Sequence, residues 1–143
     1  MDRAHAQAEA ARDRGEVPVG AVIVSADGDI LAAAGNETLM LRDPTAHAEL
    51  VAIRAACAKL DSERLIDCDL YVTLEPCAMC AGAISFARIR RLYFGAPDPK
   101  GGAVEHGTRF FQQPTCHHAP EVIAGMGETK AAALLKDFFA GRR

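Results

Sequence analysis

Apolar positions along this chain form short continuous runs separated by longer stretches with helical spacing. Residues 19–24 are a continuous apolar run that predicts a buried strand, and residues 30–34 predict a second strand. Asp27-Gly28 lies between them and is typical of a tight turn, so the two strands are expected to form a hairpin. Three further strands are predicted at residues 69–74, 91–95 and 121–124.

Helices are predicted in the intervening segments. Residues 2–14 are rich in good helix formers, and Gly15 is a plausible stop. Asp43-Pro44-Thr45 resembles a helix start, with Asp or Thr as the cap, and predicts a helix over residues 46–59. Leu50, Ile53 and Cys57 would form its core-facing stripe. Two more helices are predicted at residues 76–87 and 128–139, whereas residues 96–119 have little regular pattern.

The alternation of strands and helices predicts an α/β fold. From residue 69 onward the order strand, helix, strand, helix, strand implies right-handed crossovers and parallel pairing. Together with the hairpin, this gives a mixed five-stranded sheet with helices on both faces, a three-layer α/β/α sandwich. The length of 143 residues corresponds to one domain, residues 1–143.

Composition and charge narrow the class of protein. No apolar run is long enough to span a bilayer and the N-terminus lacks the apolar core of a secretion signal, so a cytoplasmic protein without membrane attachment is expected. Five cysteines, an odd number, argue against a disulfide framework. The net charge is −3, but residues 88–143 are basic on balance and residues 1–87 acidic. The basic part suits either local phosphate contact or an ordinary solvated surface.

Two short segments carry the most distinctive chemistry, His47-Ala48-Glu49 and Pro76-Cys77-Ala78-Met79-Cys80. An imidazole and two thiolates supply three zinc ligands, and the fourth tetrahedral position stays open for water, as in a catalytic site. Glu49 adds the carboxylate that hydrolysis needs for proton transfer. The order and spacing match the known signature of zinc-dependent nucleobase deaminases.

The predicted fold explains how these ligands could meet. His47 and Glu49 fall at the start of one helix, and Cys77 and Cys80 lie on one face of the first turn of the next. Both helix starts follow strands of one sheet, so their N-termini can converge at the edge where α/β sheets bind ligands. A lone Cys-x-x-Cys could also belong to a structural zinc site or a redox pair. Only Cys116-His117 could complete a structural site, and a redox pair leaves His47 and Glu49 unexplained.

Longer stretches around these motifs resemble the bacterial tRNA-specific adenosine deaminases, a family of the zinc-dependent cytidine/deoxycytidylate deaminase superfamily. The resemblance covers nearly the whole chain and is carried by residues 16–22, 43–49, 65–67, 70–83, 94–100 and 134–139. It implies the cytidine-deaminase-like sandwich, one Zn²⁺ per subunit, and a homodimer with active sites near the interface. It also implies conversion of the wobble adenosine of a tRNA anticodon stem-loop to inosine, by zinc-bound hydroxide with a glutamate as proton shuttle.

The resemblance also assigns roles to individual residues. His47, Cys77 and Cys80 would bind zinc, and Glu49 would be the proton shuttle. The remaining matches concern the substrate. Asn36 would hydrogen-bond the flipped base, and Val19 would line the wall of the pocket that holds this base. Asp98 and Lys100 would touch neighbouring nucleotides, and the terminal helix would contact the anticodon loop through Phe138, Phe139, Arg142 and Arg143. Gly101, often larger in relatives, and Cys116-His117-His118 depart from the family pattern, and the chain stops at Arg143 without a basic extension.

Two other functions stay open at this point. The same zinc chemistry could deaminate a free base or nucleoside such as guanine, cytosine or cytidine, which requires a small closed pocket and no basic C-terminal surface. A non-enzymatic zinc-stabilised binding module would use the same ligands without Glu49. Neither the tRNA that is read nor the role of Cys116, His117 and His118 follows from the sequence.

Overall fold

The structure, a computed structural model, describes residues 1–142, and the predicted RNA contact Arg143 lies outside the described residues. The elements follow one another as α1 (Asp2–Asp13), β1 (Gly20–Val24), β2 (Ile30–Gly35), α2 (Ala48–Leu60), β3 (Asp69–Leu74), α3 (Ala78–Ala87), β4 (Arg91–Ala96), β5 (Glu121–Ala124) and α4 (Glu128–Ala140). A short 3₁₀ helix at Phe110–Gln112 lies between β4 and β5.

The five strands form one mixed sheet in the order β2-β1-β3-β4-β5. Strand β1 is antiparallel to both of its neighbours, whereas β3, β4 and β5 are mutually parallel, so the predicted hairpin and the predicted parallel half are both confirmed. Gly28 adopts a φ of 89° in the hairpin turn, a conformation that glycine tolerates best. Strand β2 therefore runs in the same direction as β3, β4 and β5, and their carboxyl ends meet at one edge of the sheet.

Helices cover both faces of this sheet, which confirms the three-layer α/β/α prediction. Helices α1 and α4 pack on one face, and α2 and α3 contact each other on the opposite side. Leu70, Val72, Leu92 and Phe94 on the central strands are buried and form much of the core with Ile23. Within the part of the chain described here, no helix combines the length and apolarity needed to cross a membrane.

Helix α1 approaches the sheet unusually closely. Ala4, Ala8 and Ala11 are fully buried on its inner face. A Cβ atom at Gly20 would lie 1.9 Å from the Ala4 carbonyl oxygen, and one at Gly35 would lie 2.8 Å from the carbonyl oxygen of Gln7. Glycine is therefore required at both positions of β1 and β2 by the backbone of the helix above them.

The start of α2 differs from the prediction. The helix begins at Ala48 with His47 as its N-cap residue, and the His47 side chain makes no capping hydrogen bond. Asp43 instead accepts hydrogen bonds from the backbone N–H and the hydroxyl of Thr45, which closes a turn before the helix. The predicted capping role of Asp43 or Thr45 is therefore wrong, because this local turn uses the side chains. Leu50 and Ile53 are buried as predicted, and Cys57 packs against the core at its periphery.

The irregular segment between β4 and β5 is fixed by specific contacts. The Cys116 thiol donates to the carbonyl oxygen of His118, and it lies 3.6 Å from the hydroxyl oxygen of Ser85 on α3. Nε2 of His118 lies 2.7 Å from the carbonyl oxygen of Ile89, within hydrogen-bond distance. These contacts attach the segment to the end of α3.

Candidate active site

The residues predicted from the sequence to bind metal and substrate converge at one edge of the sheet. Asn36 follows β2 directly, Cys77 follows β3 within three residues, and Asp98 follows β4. Val19 precedes β1, which runs in the opposite direction and therefore starts at the same edge. Strand direction thus brings together side chains that are up to 79 residues apart in the chain.

His47, Cys77 and Cys80 form a compact donor triangle. Their ligand atoms all lie within 4.8 Å of one another, and each sulfur is 3.6 Å from Nδ1 of His47. A tetrahedral zinc ion with bonds of about 2.3 Å to sulfur and about 2.0–2.1 Å to nitrogen separates these atoms by about 3.6 Å. The donor set and its spacing therefore fit zinc, with three protein ligands.

The electrostatics of the triangle also favour a bound cation. The pKa of Cys77 is lowered because the Cys80 thiol hydrogen-bonds to it and because His47 lies beside it. The pKa of Cys80 is raised by the same contact with Cys77 and by burial. The two pKa shifts have opposite directions because two adjacent thiolates repel each other when no cation lies between them. A divalent metal removes this conflict and stabilises both thiolates.

Glu49 lies on the first turn of α2, next to the donor triangle. It lines the same cleft as His47 and Cys77 and is only 4% exposed. Burial raises the pKa of its carboxyl group to about 7. The group belongs to the cleft but not to the donor triangle, so it is available to exchange protons with a bound molecule.

Asn36 presents a defined hydrogen-bonding group to the cleft. It is 9% exposed, and its side-chain oxygen accepts a hydrogen bond of 2.9 Å from the backbone N–H of Ala48. Because the amide oxygen is used in this way, the amide NH₂ is the group left to donate to a ligand. The cleft has a volume of about 330 Å³, and Val19 and Leu74 contribute apolar wall.

A second, more apolar cleft adjoins the first. The two share Val17, Leu74, Asp98 and Gly101 as lining residues, and Lys100, Leu135 and Phe139 line the second one as well. Phe139 is 52% exposed. The structure thus brings Asp98, Lys100 and Phe139 around one depression beside the metal-ligand cleft.

Arg142 is not among the residues that line the metal-ligand cleft. Its guanidinium donates a hydrogen bond of 3.1 Å to the carbonyl oxygen of Gly15 and lies 4.2 Å from the ring centroid of Phe138. With Phe138 and Phe139 it lines a third depression against the loop after α1. This depression shares Val17 and Thr38 with the metal-ligand cleft.

Two buried carboxylates at this edge received no role from the sequence. Glu16 accepts hydrogen bonds from the backbone N–H groups of Leu39 and Met40 and from the hydroxyl of Thr38, and so fixes the loop after β2. Glu75 does the same for the loop after β4. Each is an acidic residue next to a predicted buried strand. Because an unpaired buried charge is costly, this position in the sequence indicates that the carboxylate accepts hydrogen bonds from a neighbouring segment.

Comparison with known proteins identifies a family with the same ligand pattern. Residues 1–96 match the family model described as the cytidine and deoxycytidylate deaminase zinc-binding region. A protein of Agrobacterium fabrum named tRNA-specific adenosine deaminase is 60% identical over 143 residues, which cover 100% of this chain and 93% of that protein.

Solved structures give the same result for the fold. One, from a study of A-to-I editing by tRNA:A34 deaminases at the wobble position of transfer RNA, has a TM-score of 0.93 and 61% identity, covering 94% of this chain and 97% of that one. A guanine deaminase from Nitrosomonas europaea has a TM-score of 0.79 and 26% identity, covering 98% and 82%. Sequence identity is thus much higher with the RNA-editing group than with this free-base deaminase.

Proposed function

Because this chain belongs to the cytidine and deoxycytidylate deaminase zinc-binding family, we propose that it hydrolytically deaminates adenosine to inosine in RNA, at the wobble position of a tRNA anticodon. The observation that carries the chemistry is the donor triangle of His47, Cys77 and Cys80 with the buried Glu49 carboxylate beside it. The choice of RNA rests on the 60% identity, over the whole chain, to a tRNA-specific adenosine deaminase.

His47, Cys77 and Cys80 would hold one zinc ion per subunit. When bound, the metal supplies a nucleophile by lowering the pKa of a water molecule to about 7. The 3.6 Å spacing between Nδ1 of His47 and each sulfur supports this ligand set. Three protein ligands leave one tetrahedral position free for solvent, which distinguishes a catalytic from a closed structural site.

Glu49 would carry the protons of the reaction. It would accept a proton from the attacking water and deliver it to the ring nitrogen N1 of adenine. It would then take the remaining proton of the hydroxyl added at C6 and deliver it to the exocyclic amine as the C6–N6 bond breaks. Water and adenosine are thereby converted to inosine and ammonia without an organic cofactor. The role is supported by burial of the carboxylate in the cleft and by its position outside the donor triangle.

Asn36 and Val19 would hold the flipped base. The Asn36 amide NH₂ is available as a donor, because the oxygen of the same amide is occupied by the N–H of Ala48. Val19 supplies apolar wall against which a base can pack. Both residues line the cleft that also contains Glu49, so the amine of a bound base would lie near the carboxylate.

The adjoining depressions would hold the nucleotides on either side of the target. Asp98, Lys100 and Phe139 line the second cleft, and stacking of a base on an exposed aromatic ring is a common mode of single-strand recognition. Arg142 and Arg143 would contact phosphates, and Arg142 already lies on the same surface as Phe139. A free-base deaminase would have no use for this extended surface.

Assembly as a homodimer is part of the proposal. Met79 and Phe86 lie seven positions apart on one face of α3, and Phe86 is 69% exposed. Leu39, Met40 and Leu41 add exposed apolar side chains in the loop after β2. Exposed apolar side chains that cluster in this way are suited to protein–protein association. We also propose that residues 1–143 act as one domain and work in the cytoplasm, where bacterial tRNA resides.

The deciding experiment compares substrates. The purified chain is incubated with an anticodon stem-loop carrying adenosine at the wobble position, and separately with free guanine, cytosine and cytidine. Inosine formation in the stem-loop, with much slower ammonia release from the free compounds, is the expected result. Turnover of the free compounds alone would overturn the RNA proposal and favour the guanine deaminase relatives, whose fold is similar.

A substitution separates enzyme from zinc-stabilised binding module. Glu49→Ala should abolish deamination while zinc content and the circular dichroism spectrum stay unchanged, because Glu49 lies outside the donor triangle. Glu63→Ala is the matched control, since Glu63 is an exposed carboxylate just after α2. Unchanged activity in Glu49→Ala would remove the proton-transfer role.

A further inference from the structure

Glu75 is a buried carboxylate that the proposed chemistry does not use. It follows β3 directly and precedes the Pro76-Cys77 segment, and its side chain is 0% exposed. Removing a carboxylate from water is costly unless hydrogen bonds replace its solvation. The surroundings of Glu75 should therefore contain several donors.

All of these donors come from one loop, residues 98–106. Oε1 accepts a hydrogen bond of 3.0 Å from the N–H of Asp98 and lies 2.7 Å from Nδ1 of His106. Oε2 accepts three more from consecutive backbone N–H groups, those of Val104, Glu105 and His106, at 2.9–3.1 Å. Burial alone would raise the pKa of Glu75, but these hydrogen bonds outweigh it and lower the pKa. The carboxylate is thus the centre around which the loop is folded.

The loop fits this carboxylate closely. A Cβ atom at Gly102 would lie 2.5 Å from Cδ and Oε2 of Glu75, so a side chain at that position would displace the carboxylate. The neighbouring N–H of Ala103 donates to the carbonyl oxygen of Pro76 at 2.9 Å. Two consecutive loop residues, Gly102 and Ala103, therefore lie against the two consecutive residues that follow β3, Glu75 and Pro76.

The same loop forms one wall of the candidate active site. Asp98 and Gly101 line the cleft together with Glu49 and Cys77. Asp98 is held at its backbone N–H by Glu75, and its own carboxylate accepts hydrogen bonds from the N–H groups of Lys100 and Gly101. A displacement at Glu75 would therefore be transmitted to the wall of the cleft.

We propose that Glu75 is a positioning residue for deamination, which holds the 98–106 loop at the distance from Cys77 and Glu49 that the substrate requires. This inference rests on the proposed function, since it concerns the same cleft. Glu75 is itself among the residues that line the cleft, but its side chain is 0% exposed and all its hydrogen bonds go to the loop, so we expect it to act through the loop. An ionised carboxylate suits this role because the four backbone N–H groups that face its oxygens are all donors, whereas an amide would turn its own NH₂ towards some of these N–H groups.

The test uses Glu75→Gln in the full chain, with Glu105→Gln as the matched control. Glu105 lies in the same loop, but its exposed side chain makes none of these hydrogen bonds. Loss of buried hydrogen bonds to a charged group predicts a fall of about tenfold or more in kcat for the stem-loop. Zinc content should stay at the wild-type value, and KM should rise together with the fall in kcat, because the loop also contains the proposed substrate contacts Asp98 and Lys100. Glu105→Gln should match wild type.

A second readout does not depend on activity. Amide hydrogen exchange of residues 98 and 104–106 should be slow in wild type and in Glu105→Gln, and much faster in Glu75→Gln. If wild type fails to deaminate RNA but the exchange pattern is as expected, the proposed function fails while the loop anchor stands. If wild type is active and Glu75→Gln has unchanged kcat, the positioning role is refuted.

His106→Ala covers the case in which Glu75→Gln does not fold. This variant removes the one side-chain partner of Glu75 in the loop and leaves the carboxylate in place. It should fold and lower kcat about two- to tenfold, with faster exchange at residues 104–106. Lower thermal stability with unchanged kcat and unchanged exchange would mean that Glu75 has only a structural role.

Discussion

Substitution of Asn36 by aspartate tests the orientation of the amide in the cleft. The introduced carboxylate would be nearly isosteric with the amide and would keep an oxygen to accept the 2.9 Å hydrogen bond from the N–H of Ala48. It cannot donate to a base, and it brings a second carboxylate into the cleft that contains Glu49. The fold should therefore survive while substrate binding is impaired.

The size of the effect follows from the burial of Asn36, which is 9% exposed. Loss of a donor in such a desolvated position leaves the acceptor of the base without a partner and costs about 1–3 kcal/mol. This corresponds to a decrease of about 5- to 150-fold in kcat/KM at 25 °C. Repulsion between the two carboxylates would add to the loss.

Asn36→Ala separates this effect from stability. It removes the acceptor of the fully buried Ala48 N–H, so it should lower the free energy of unfolding by about 1–3 kcal/mol, whereas Asn36→Asp should lower it far less. Steady-state inosine formation and chemical denaturation measure the two quantities. A kcat/KM for Asn36→Asp within twofold of wild type would refute the assignment of the amide NH₂ as a donor.

Three further predictions concern other parts of the molecule. Phe86→Asp should halve the mass found by sedimentation without unfolding the chain, and an unchanged mass would exclude the α3 face as the dimer contact. Arg142→Ala should reduce the slope of RNA affinity against salt by about one, as expected for one lost phosphate contact, and an equal slope would remove that contact. Glu16→Gln should lower the free energy of unfolding at pH 7 by about 1–3 kcal/mol, because it loses charged hydrogen bonds to Leu39 and Met40. Burial alone would raise the pKa of Glu16, but the hydrogen bonds outweigh burial and lower the pKa below its usual value. The difference in free energy of unfolding between wild type and Glu16→Gln should therefore be complete at neutral pH and disappear as the pH falls through the lowered pKa. A constant difference from pH 7 to pH 3 would contradict this account.

Strand pattern and motif spacing were enough to predict the sheet and the metal-ligand cluster. The apolar run at β3 has the predicted bounds, Asp69–Leu74, because burial on both faces leaves a continuous signal. The convergence of His47 with Cys77 and Cys80 followed from the direction of the strands that precede them. The roles assigned to these residues, and to Asn36 and the RNA-contact residues, stay predictions.

Other features depend on contacts that the sequence does not display. The start of α2 was misassigned because Asp43 can cap either a helix or a turn, and the nearby Thr45 decides for the turn. The anchoring of residues 98–106 by Glu75 joins groups about 30 residues apart, and local propensity contains no signal for such a contact. The 3₁₀ helix at Phe110–Gln112 was missed for the same reason, since it lies in a segment held by tertiary contacts.

The contact between α1 and the sheet has a consequence for directed evolution. Ala4, Ala8 and Ala11 face Gly20 and Gly35 with no room for an additional methyl group at either glycine. A saturation library at these five sites should therefore return almost only the parental residues. Variants with altered substrate range should instead be sought where neighbouring side chains can move, as at Lys100 and Phe139, and the N-terminal helix should be left out of the mutagenised region.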